Sequence, residues 1–411
     1  MMILKIAWRN IKRNKKRSIV TVILSAICTA LLIYSVSIND GAHHKMIRDS
    51  VEIYTGYIQI VGKEFNEYPD YDHLIFDEYN TIKSIENIRE IDTYASRLET
   101  FALLSGKDES VGGKFVGIQP EKEKEIARFT KTMTQGRYLT KDDTSKVIIG
   151  EELAKKLDVK IGDTITYLST AIDYSIAADI VTVVGIFKTN LFDFDENMVF
   201  ANKPYVQELF YAENVASHIV IKPKNKKAVT KTVRMINKNI DNKKYDVLPW
   251  DETLPGVKQA VALDDAFSYI FYIIIVVVIF FVIMIFSLLN IYQRNKEIGI
   301  VKSLGTTPKQ IFHMLFAESV ILGFFSLLVG GVLGIGASVI NMIYPYNLEK
   351  FAEAYSQWGI TDPTIYPEIT LKAILAGICA VIFMNLISIL YPIWKINKLK
   401  PVDAIHGKGL S

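Results

Sequence analysis

Few residues are of types that could do chemistry. Their spacing matches none of the patterns for phosphate binding, metal binding or nucleophilic catalysis. Gly112-Gly113-Lys114-Phe115 lacks the upstream glycine and the Ser or Thr of a phosphate-binding loop. No HExxH or paired-cysteine pattern predicts a metal site, and no serine or cysteine stands in a nucleophile-elbow pattern. We therefore expect no catalytic, cofactor-binding or metal residues, so an ATP-driven role would need a separate nucleotide-binding subunit.

His43 and His44 are adjacent in the sequence. On a helix, neighbouring side chains point about 100° apart, so the two cannot chelate one metal as an i, i+4 pair would. We expect exposed polar histidines.

The most informative polar segment runs from Gln293 to Gln310, QRNKEIGIVKSLGTTPKQ. Ile298, Val301 and Leu304 recur at helical spacing, which predicts a short amphipathic helix. Gly305 stands where a helix would close, and the run from Thr307 to Gln310 predicts a capping box that begins the next helix. Such a helix could be the handle by which a soluble partner moves the membrane helices, or it could lie on the membrane surface.

The chain contains four uncharged apolar stretches, and this polar segment lies between the second and the third of them. Each is longer than the roughly 20 residues that cross a hydrocarbon core. They are Ser18 to Asn39, Phe267 to Gln293, Ser319 to Leu348 and Ala373 to Trp394. The predicted fold class is a membrane protein with four transmembrane α-helices, one before and three after a large α+β extracytoplasmic domain.

Charge sets the predicted topology. The first 18 residues hold seven Lys or Arg and no acid, and the connection after span two and the tail after Trp394 are also basic. The positive-inside rule therefore places both termini in the cytoplasm. A cleaved signal ending near Ser35-Val36-Ser37 is the alternative for the first span, but the apolar stretch is longer than a usual signal core.

Cys28 and Cys379 both lie in spans, so no disulfide is expected.

The predicted segments follow from these boundaries. In order they are a cytoplasmic interfacial amphipathic helix at 1–17 with Trp8 at headgroup level, span one at 18–39, a periplasmic α+β domain of two subdomains at 40–265, span two at 266–292, a cytoplasmic coupling helix and loop at 293–309, span three at 310–343, a periplasmic loop at 344–370, span four at 371–394 and a cytoplasmic tail at 395–411.

Two further patterns leave alternatives open. Span three carries small residues at every fourth position, namely Ser326, Gly330, Gly334 and Ser338, which fits close helix packing within one subunit or dimerisation. Between Thr164 and Phe187 the sequence predicts a β-hairpin whose tip includes Ser169, Asp173 and Tyr174. An ordinary exposed hairpin and a docking element explain that tip equally well.

Several motifs now carry a family resemblance. Glu297 to Pro308, EIGIVKSLGTTP, is similar to the "EIGILRALGAS" signature of FtsX-type permeases, the membrane subunits of mechanotransmitting ABC transporters of the MacB/FtsX superfamily. The stretch from Tyr391 to Ile405 resembles the closing motif of that family. Gly136-Arg137 and Val147 to Asp163 resemble the core of its extracytoplasmic domain. The resemblance covers nearly the whole chain.

Within the family, Thr55 to Ile60 and Leu263 to Phe267 look most like the LolC/LolE lipoprotein-releasing branch. That resemblance implies an inner-membrane complex of two cytoplasmic ATPase subunits, which bind ATP-Mg, and two permeases, identical or paralogous. The complex would extract lipoproteins and pass them to a periplasmic chaperone docked on the hairpin. The implied ATPase-coupling residues are Glu297, Ile298, Gly299, Val301, Lys302, Leu304 and Gly305.

Two rival functions remain open. A permease of this family could instead export peptides or drugs, or it could activate a cell-wall hydrolase without transporting anything. The neighbouring reading frames would discriminate, since an adjacent ATPase and a lipoprotein chaperone favour lipoprotein release.

Overall fold

The computed structural model describes residues 2–388 apart from 108, 294–298, 301, 302, 304, 348, 349, 351–361 and 363. The chain divides into two compact units. We call residues 1–44, 262–347 and 364–411 the membrane unit, and residues 45–261 with 348–363 the α+β domain. Each is described by itself below.

Helices account for most of the membrane unit and for the connections of the α+β domain. In chain order, those in the described residues are α1 (Met2–Arg13), α2 (Lys15–Ser50), α3 (Glu78–Ile85), α4 (Pro120–Ile126), α5 (Glu151–Lys156), α6 (Phe192–Asn197), α7 (Lys203–Leu209), α8 (Val229–Asn237), α9 (Trp250–Thr253), α10 (Pro255–Gln293), α11 (Pro308–Ile343) and α12 (Leu371–Ser388).

Three helical segments in the described residues are long and apolar enough to cross a membrane: Ser18–Thr55, Pro255–Ile285 and Lys309–Ile343. The first and third segments contain predicted spans one and three, and the second contains residues 266–285 of predicted span two. The apolar helix α12 lies within the fourth, but residues 389–394 of that span fall outside the described part of the chain. The count of four spans therefore stays a prediction.

Helix α11 begins where the sequence predicts. Thr307 Oγ1 accepts a hydrogen bond from the Gln310 backbone N–H at 3.4 Å, and Gln310 Oε1 accepts one from the Thr307 N–H at 2.9 Å. Pro308 occupies the first helical position, where its missing N–H removes no helical hydrogen bond. The predicted capping box is confirmed.

A single mixed sheet organises the α+β domain. Its strands are β1 (Ile58–Gly62), β2 (Ile91–Ser105), β3 (Ser110–Ile118), β4 (Met133–Gly136), β5 (Lys146–Gly150), β6 (Thr164–Thr170), β7 (Ile176–Phe187), β8 (Met198–Asn202), β9 (His218–Pro223) and β10 (Tyr245–Pro249). The strand order is β10-β1-β9-β2-β3-β8-β5-β7-β4, and β6 pairs with both β2 and β7. The long strand β2 joins the two halves of this order, and the division into two subdomains stays a prediction.

The sheet is buried on both faces near its middle. Consecutive residues of a strand point to opposite faces. Phe115 of β3 and Val199 of β8 enter one hydrophobic cluster, whereas their neighbours Val116 and Phe200 enter another. Helices on both sides of the strands are therefore required to cover them. In the membrane unit, a short two-stranded sheet pairs β11 (Tyr346–Asn347) with β12 (Thr364–Ile365).

Candidate functional site

The predicted coupling segment is only partly described. Gly299 is helical and buried, Ser303 is helical and exposed, and Gly305 has a left-handed φ of 90°, as expected of a residue that closes a helix. Five of the seven predicted coupling residues lie outside the described residues: Glu297, Ile298, Val301, Lys302 and Leu304. The coupling helix therefore stays a prediction.

The N-terminal helix packs against span three. The Trp8 and Phe325 rings stack with centroids 6.0 Å apart, and Asn10 Nδ2 donates to Glu318 Oε1 at 2.8 Å. Ala7, on the same face as these two residues, is fully buried. Helix α1 therefore contacts α11 through Trp8 and Asn10, a contact that the sequence pattern did not indicate.

The small-residue stripe of α11 faces span one of the same chain. A Cβ at Gly330 would lie 2.5 Å from both the Ala26 carbonyl oxygen and the Thr29 Cβ, and one at Gly334 would lie 3.0 Å from the Ala30 backbone. Ser326 and Ser338 are buried, and each hydroxyl donates to a carbonyl of its own helix. The stripe thus lets two helix backbones approach closely within one subunit.

The adjacent histidines lie on α2 near its contacts with α10 and with the segment before α12. His43 Nε2 lies 2.6 Å from Asp264 Oδ2, and His43 Nδ1 lies 3.6 Å from Asp265 Oδ1. His44 Nδ1 lies 2.5 Å from Glu368 Oε2. The expectation of exposed histidines was wrong for His43, whose side chain is 11% exposed, because α10 packs against that face of α2. His44, at 55%, is exposed as expected.

The predicted hairpin forms from β6 and β7. Ser169 Oγ donates to the Phe101 carbonyl and lies 3.1 Å from Thr100 Oγ1, so it ties the hairpin to β2. Asp173 accepts two hydrogen bonds from Ser175 within the tip, and these lower the pKa of its carboxyl. In the turn between β6 and β7, Tyr174 presents a large exposed side chain on a backbone with φ of 65°.

One face of β2, β6 and β7 is apolar and exposed. The sequence patterns did not predict this exposed apolar face. Leu103 of β2 pairs with Leu168 of β6, and the two are about half exposed. Phe101 is 71% exposed and Ile176 is 80% exposed. Ile180 lies four residues further along β7 and points to the same face of the sheet as Ile176. We call these five residues the hairpin face. Apolar residues at every second position indicate that one face of a strand is apolar. Because such a face is usually buried, the pattern does not predict that it is exposed.

A buried charge cluster holds the start of the α+β domain. After α2, residues Val51–Thr55 form a π-helical turn, and the Tyr54 ring within it lies under the Arg97 guanidinium. Arg97 donates to Glu123, and both side chains are fully buried. The Tyr54 hydroxyl donates to Glu99 Oε2 at 3.1 Å. Burial lowers the pKa of nearby His218 to about 3.

The family-like motif at Gly136-Arg137 has a structural role. The Arg137 guanidinium makes two hydrogen bonds to the Asp143 carboxylate, at 2.6 and 2.7 Å. Arg137, with further donors from Thr140 and Lys146, holds the pKa of that carboxyl well below its usual range. This pair closes the loop between β4 and β5. Among the described residues, no group of three or more His, Cys, Asp or Glu is placed to bind a metal.

Comparison with known proteins finds two family matches. Residues 18–239 match the MacB-like periplasmic core domain, and residues 269–401 match the FtsX-like permease C-terminal region. The chain is 26% identical to the lipoprotein-releasing system transmembrane protein LolC of Buchnera aphidicola, over 97% of this chain and 96% of that protein. It is 24% identical to an uncharacterized ABC transporter permease of Methanocaldococcus jannaschii, over 99% and 98% of the two chains.

Among solved structures, the periplasmic region of MacB from Actinobacillus actinomycetemcomitans aligns with a TM-score of 0.37 at 15% identity. The alignment covers 51% of this chain and 94% of that structure.

Proposed function

This chain belongs to the family of ABC transporter permeases that combine a MacB-like periplasmic core domain with an FtsX-like C-terminal region, and on that premise we propose that it releases lipoproteins from the inner membrane of a bacterium. The observation that carries the proposal is the similarity to a LolC protein along nearly the full length of both chains. The stretches Thr55 to Ile60 and Leu263 to Phe267, which look most like that branch, support it.

The proposed topology follows the charges. Both termini and the segment between α10 and α11 lie in the cytoplasm, because their excess Lys and Arg are retained on that side during insertion. The α+β domain then lies in the periplasm, where a cargo leaving the outer leaflet would meet it.

In the proposed mechanism, ATP-Mg binds to a pair of separate cytoplasmic ATPases. Their closure moves the helix formed by Glu297 to Gly305, which transmits the movement to α10 and α11. A second permease, identical or paralogous, completes the complex. The α+β domains convert the movement into release of an acylated cargo.

The hairpin face is the proposed docking surface for a periplasmic lipoprotein chaperone. Exposed apolar patches on a soluble domain commonly mark sites of protein contact. The tip contributes Tyr174, while Ser169 and Asp173 fix the tip to β2 and shape its turn.

A pull-down tests the coupling. Changing Ile298 and Leu304 to Asp should abolish recovery of the ATPase with the tagged permease, because the apolar side of the coupling helix would become charged. The matched control is Ile176→Asp with Ile180→Asp, which adds the same two charges on the exposed hairpin face and should leave ATPase recovery unchanged. Undiminished recovery with the double variant would rule out this coupling helix.

Depletion in the native host tests the cargo. We expect mature lipoproteins to accumulate in the inner-membrane fraction within a few generations, and the intact gene should restore their export. Septation or wall-turnover defects with correctly placed lipoproteins would support the hydrolase-activating alternative and refute lipoprotein release.

Export of a small molecule is the second candidate. The chain is 21% identical to the macrolide export ATP-binding/permease protein MacB of Campylobacter jejuni over 98% of this chain and 60% of that protein. Drug sensitivity on depletion, with normal lipoprotein placement, would favour it.

A further inference from the structure

Polar contacts join α2 to α10 where the two helices adjoin the α+β domain in sequence. We call this region, residues 35–44, 262–272 and 366–372, the insertion end of the membrane unit. Here His43 contacts Asp264 and Asp265 of α10. One turn further into the span, Ser268 Oγ donates to Asn39 Oδ1 at 3.0 Å, and the Tyr272 hydroxyl lies 3.4 Å from the Ser35 carbonyl. Each of these contacts involves a side chain that water could replace.

Residues 366–372 are joined to α2 more firmly. The Glu368 backbone N–H donates to the Ser37 carbonyl at 2.8 Å. Gly41 lets the Tyr366 carbonyl approach so closely that any Cβ would overlap it. Asp40 accepts hydrogen bonds from Thr370 at 2.6 Å and Lys372 at 3.1 Å. Backbone contact and close approach therefore hold residues 366–372 against α2.

Helix α2 is also fixed deeper in the membrane unit. Gly330 and Gly334 of α11 lie against its backbone, and a Cβ added at Gly377 of α12 would lie only 2.5 Å from Ile33 Cγ1. Such small-residue packing depends on close van der Waals contact and separates with difficulty. The contact of α2 with α10 at the insertion end differs from these contacts, because a rearrangement of side chains alone could open it.

The chemistry of His43 suits a contact that opens and closes. Asp264 and Asp265 are consecutive carboxylates, and each faces a different ring nitrogen of His43. His43 Nε2 is within hydrogen-bond distance of Asp264, whereas Nδ1 is only within ion-pair distance of Asp265, so both contacts are made by side chains alone. The other charged groups of the insertion end form two pairs, His44 with Glu368 and Lys372 with Asp40. Lys372 also interacts electrostatically with Asp265 of α10.

We propose that His43 is a latch, a positioning residue that holds α2 against α10 at the insertion end, and that this contact breaks in each transport cycle while α2 and residues 366–372 move together. The proposal rests on the proposed function for its transport step. Separation of α2 from α10 widens the space between the first two spans on the side where an acylated cargo leaves the membrane.

Cross-linking in the complete complex tests the latch. In a chain with Cys28→Ala and Cys379→Ala, the test pair is His43→Cys with Asp264→Cys, and the matched control pair is Asp40→Cys with Thr370→Cys. A short bis-methanethiosulfonate joins each pair reversibly, because a side-chain hydrogen bond holds two backbones further apart than a disulfide requires. Single-cysteine variants treated in the same way correct for the loss of each native side chain.

We expect the cross-linked test pair to release cargo at least tenfold more slowly, with recovery after reduction, whereas the control pair keeps at least half of its rate. Undiminished release by the cross-linked test pair, or equal loss in both pairs, would overturn the latch. The second readout needs no cargo: the cross-linking yield of the test pair should fall at least twofold when ATP and vanadate trap the ATPases, and that of the control pair should not.

The two readouts separate the latch from the proposed function. If the unmodified complex releases no lipoprotein but the test-pair yield still falls with nucleotide, lipoprotein release is refuted and the latch stands. If the unmodified complex releases lipoprotein and the test-pair yield stays constant, the latch is refuted and lipoprotein release stands.

Discussion

The guanidinium carbon of Arg97 lies 3.9 Å from the centroid of the Tyr54 ring, so strand β2 contacts the turn that follows α2 through a cation–π interaction. Such contacts are stronger when both groups are shielded from water. Arg97 is fully buried and donates to the buried Glu123. A charged pair in the interior thereby fixes the position of the π-helical turn.

Removal of the Arg97 charge should lower the free energy of unfolding of the α+β domain. Arg97→Met keeps much of the side-chain volume but leaves the Glu123 carboxylate buried without its partner, which typically costs about 3–5 kcal/mol. Hydrogen exchange of the β2 amides in the detergent-solubilised chain measures the loss.

The control for Arg97→Met is Tyr54→Phe. It removes only the hydroxyl that donates to the Glu99 carboxylate, and one hydrogen bond to a charged group contributes about 1.5–3 kcal/mol. Equal effects of the two substitutions would show that the buried ion pair does not stabilise this region.

Acid should destabilise the α+β domain through His218. Burial lowers the pKa of this imidazole from 6.5 to about 3 in the folded chain. Between pH 6.5 and pH 3 the unfolded chain therefore binds a proton that the folded chain does not, so the free energy of unfolding falls as the pH is lowered. The slope is at most about 1.4 kcal/mol per pH unit.

His218→Phe tests this dependence, because it keeps a ring beside Tyr54 and cannot be protonated. We expect the difference in stability between the variant and the parent to shift by several kcal/mol in favour of the variant from pH 7 to pH 4, as followed by thermal unfolding. A constant difference across that range would contradict the burial of a neutral His218.

The hairpin face should determine chaperone recovery. Leu168→Asp places a carboxylate in the middle of the hairpin face, between Leu103 and Ala178. Truncation or charging of such a central residue commonly weakens binding by at least 2 kcal/mol, or about thirtyfold. Surface plasmon resonance with the purified chaperone measures the change. Tyr79→Asp is the matched control, since Tyr79 is 67% exposed on α3, outside the hairpin face. Equal affinity of both variants would place the docking surface elsewhere.

Much of the fold follows from local sequence. Apolar length predicts α2, α10 and α11, and the cap at Thr307 and the hairpin of β6 and β7 follow from short-range patterns. These features depend on residues close together in the chain, so their physics is visible in a window of a few residues. Local sequence does not predict the short strands β4 and β8, because neither has a distinctive alternation of apolar and polar residues.

The site could be predicted less well, because its contacts join distant residues. His43 and Asp264 are 221 positions apart, and nothing in the sequence around either one indicates the other. The same holds for Asn10 and Glu318, which are 308 positions apart. Polar side chains in these places look like ordinary solvent-exposed residues until the helices that carry them are packed together.

Two neighbouring glycines of α11 distinguish the effect of close packing from the effect of glycine itself on helix stability. Gly330→Ala adds a Cβ 2.5 Å from the Ala26 carbonyl oxygen and from Thr29 Cβ, so α2 and α11 must move apart. Gly331→Ala is a matched control in the next position, where nothing lies within 4 Å of an added Cβ. Over-packing of this kind typically costs about 1–3 kcal/mol, whereas alanine in an open helical position should stabilise slightly relative to glycine.

Thermal unfolding of the two glycine variants in the same detergent measures the contrast. We expect a lower melting temperature for Gly330→Ala and an unchanged or higher one for Gly331→Ala. If both variants melted alike, the close approach of α11 to α2 would not contribute to stability.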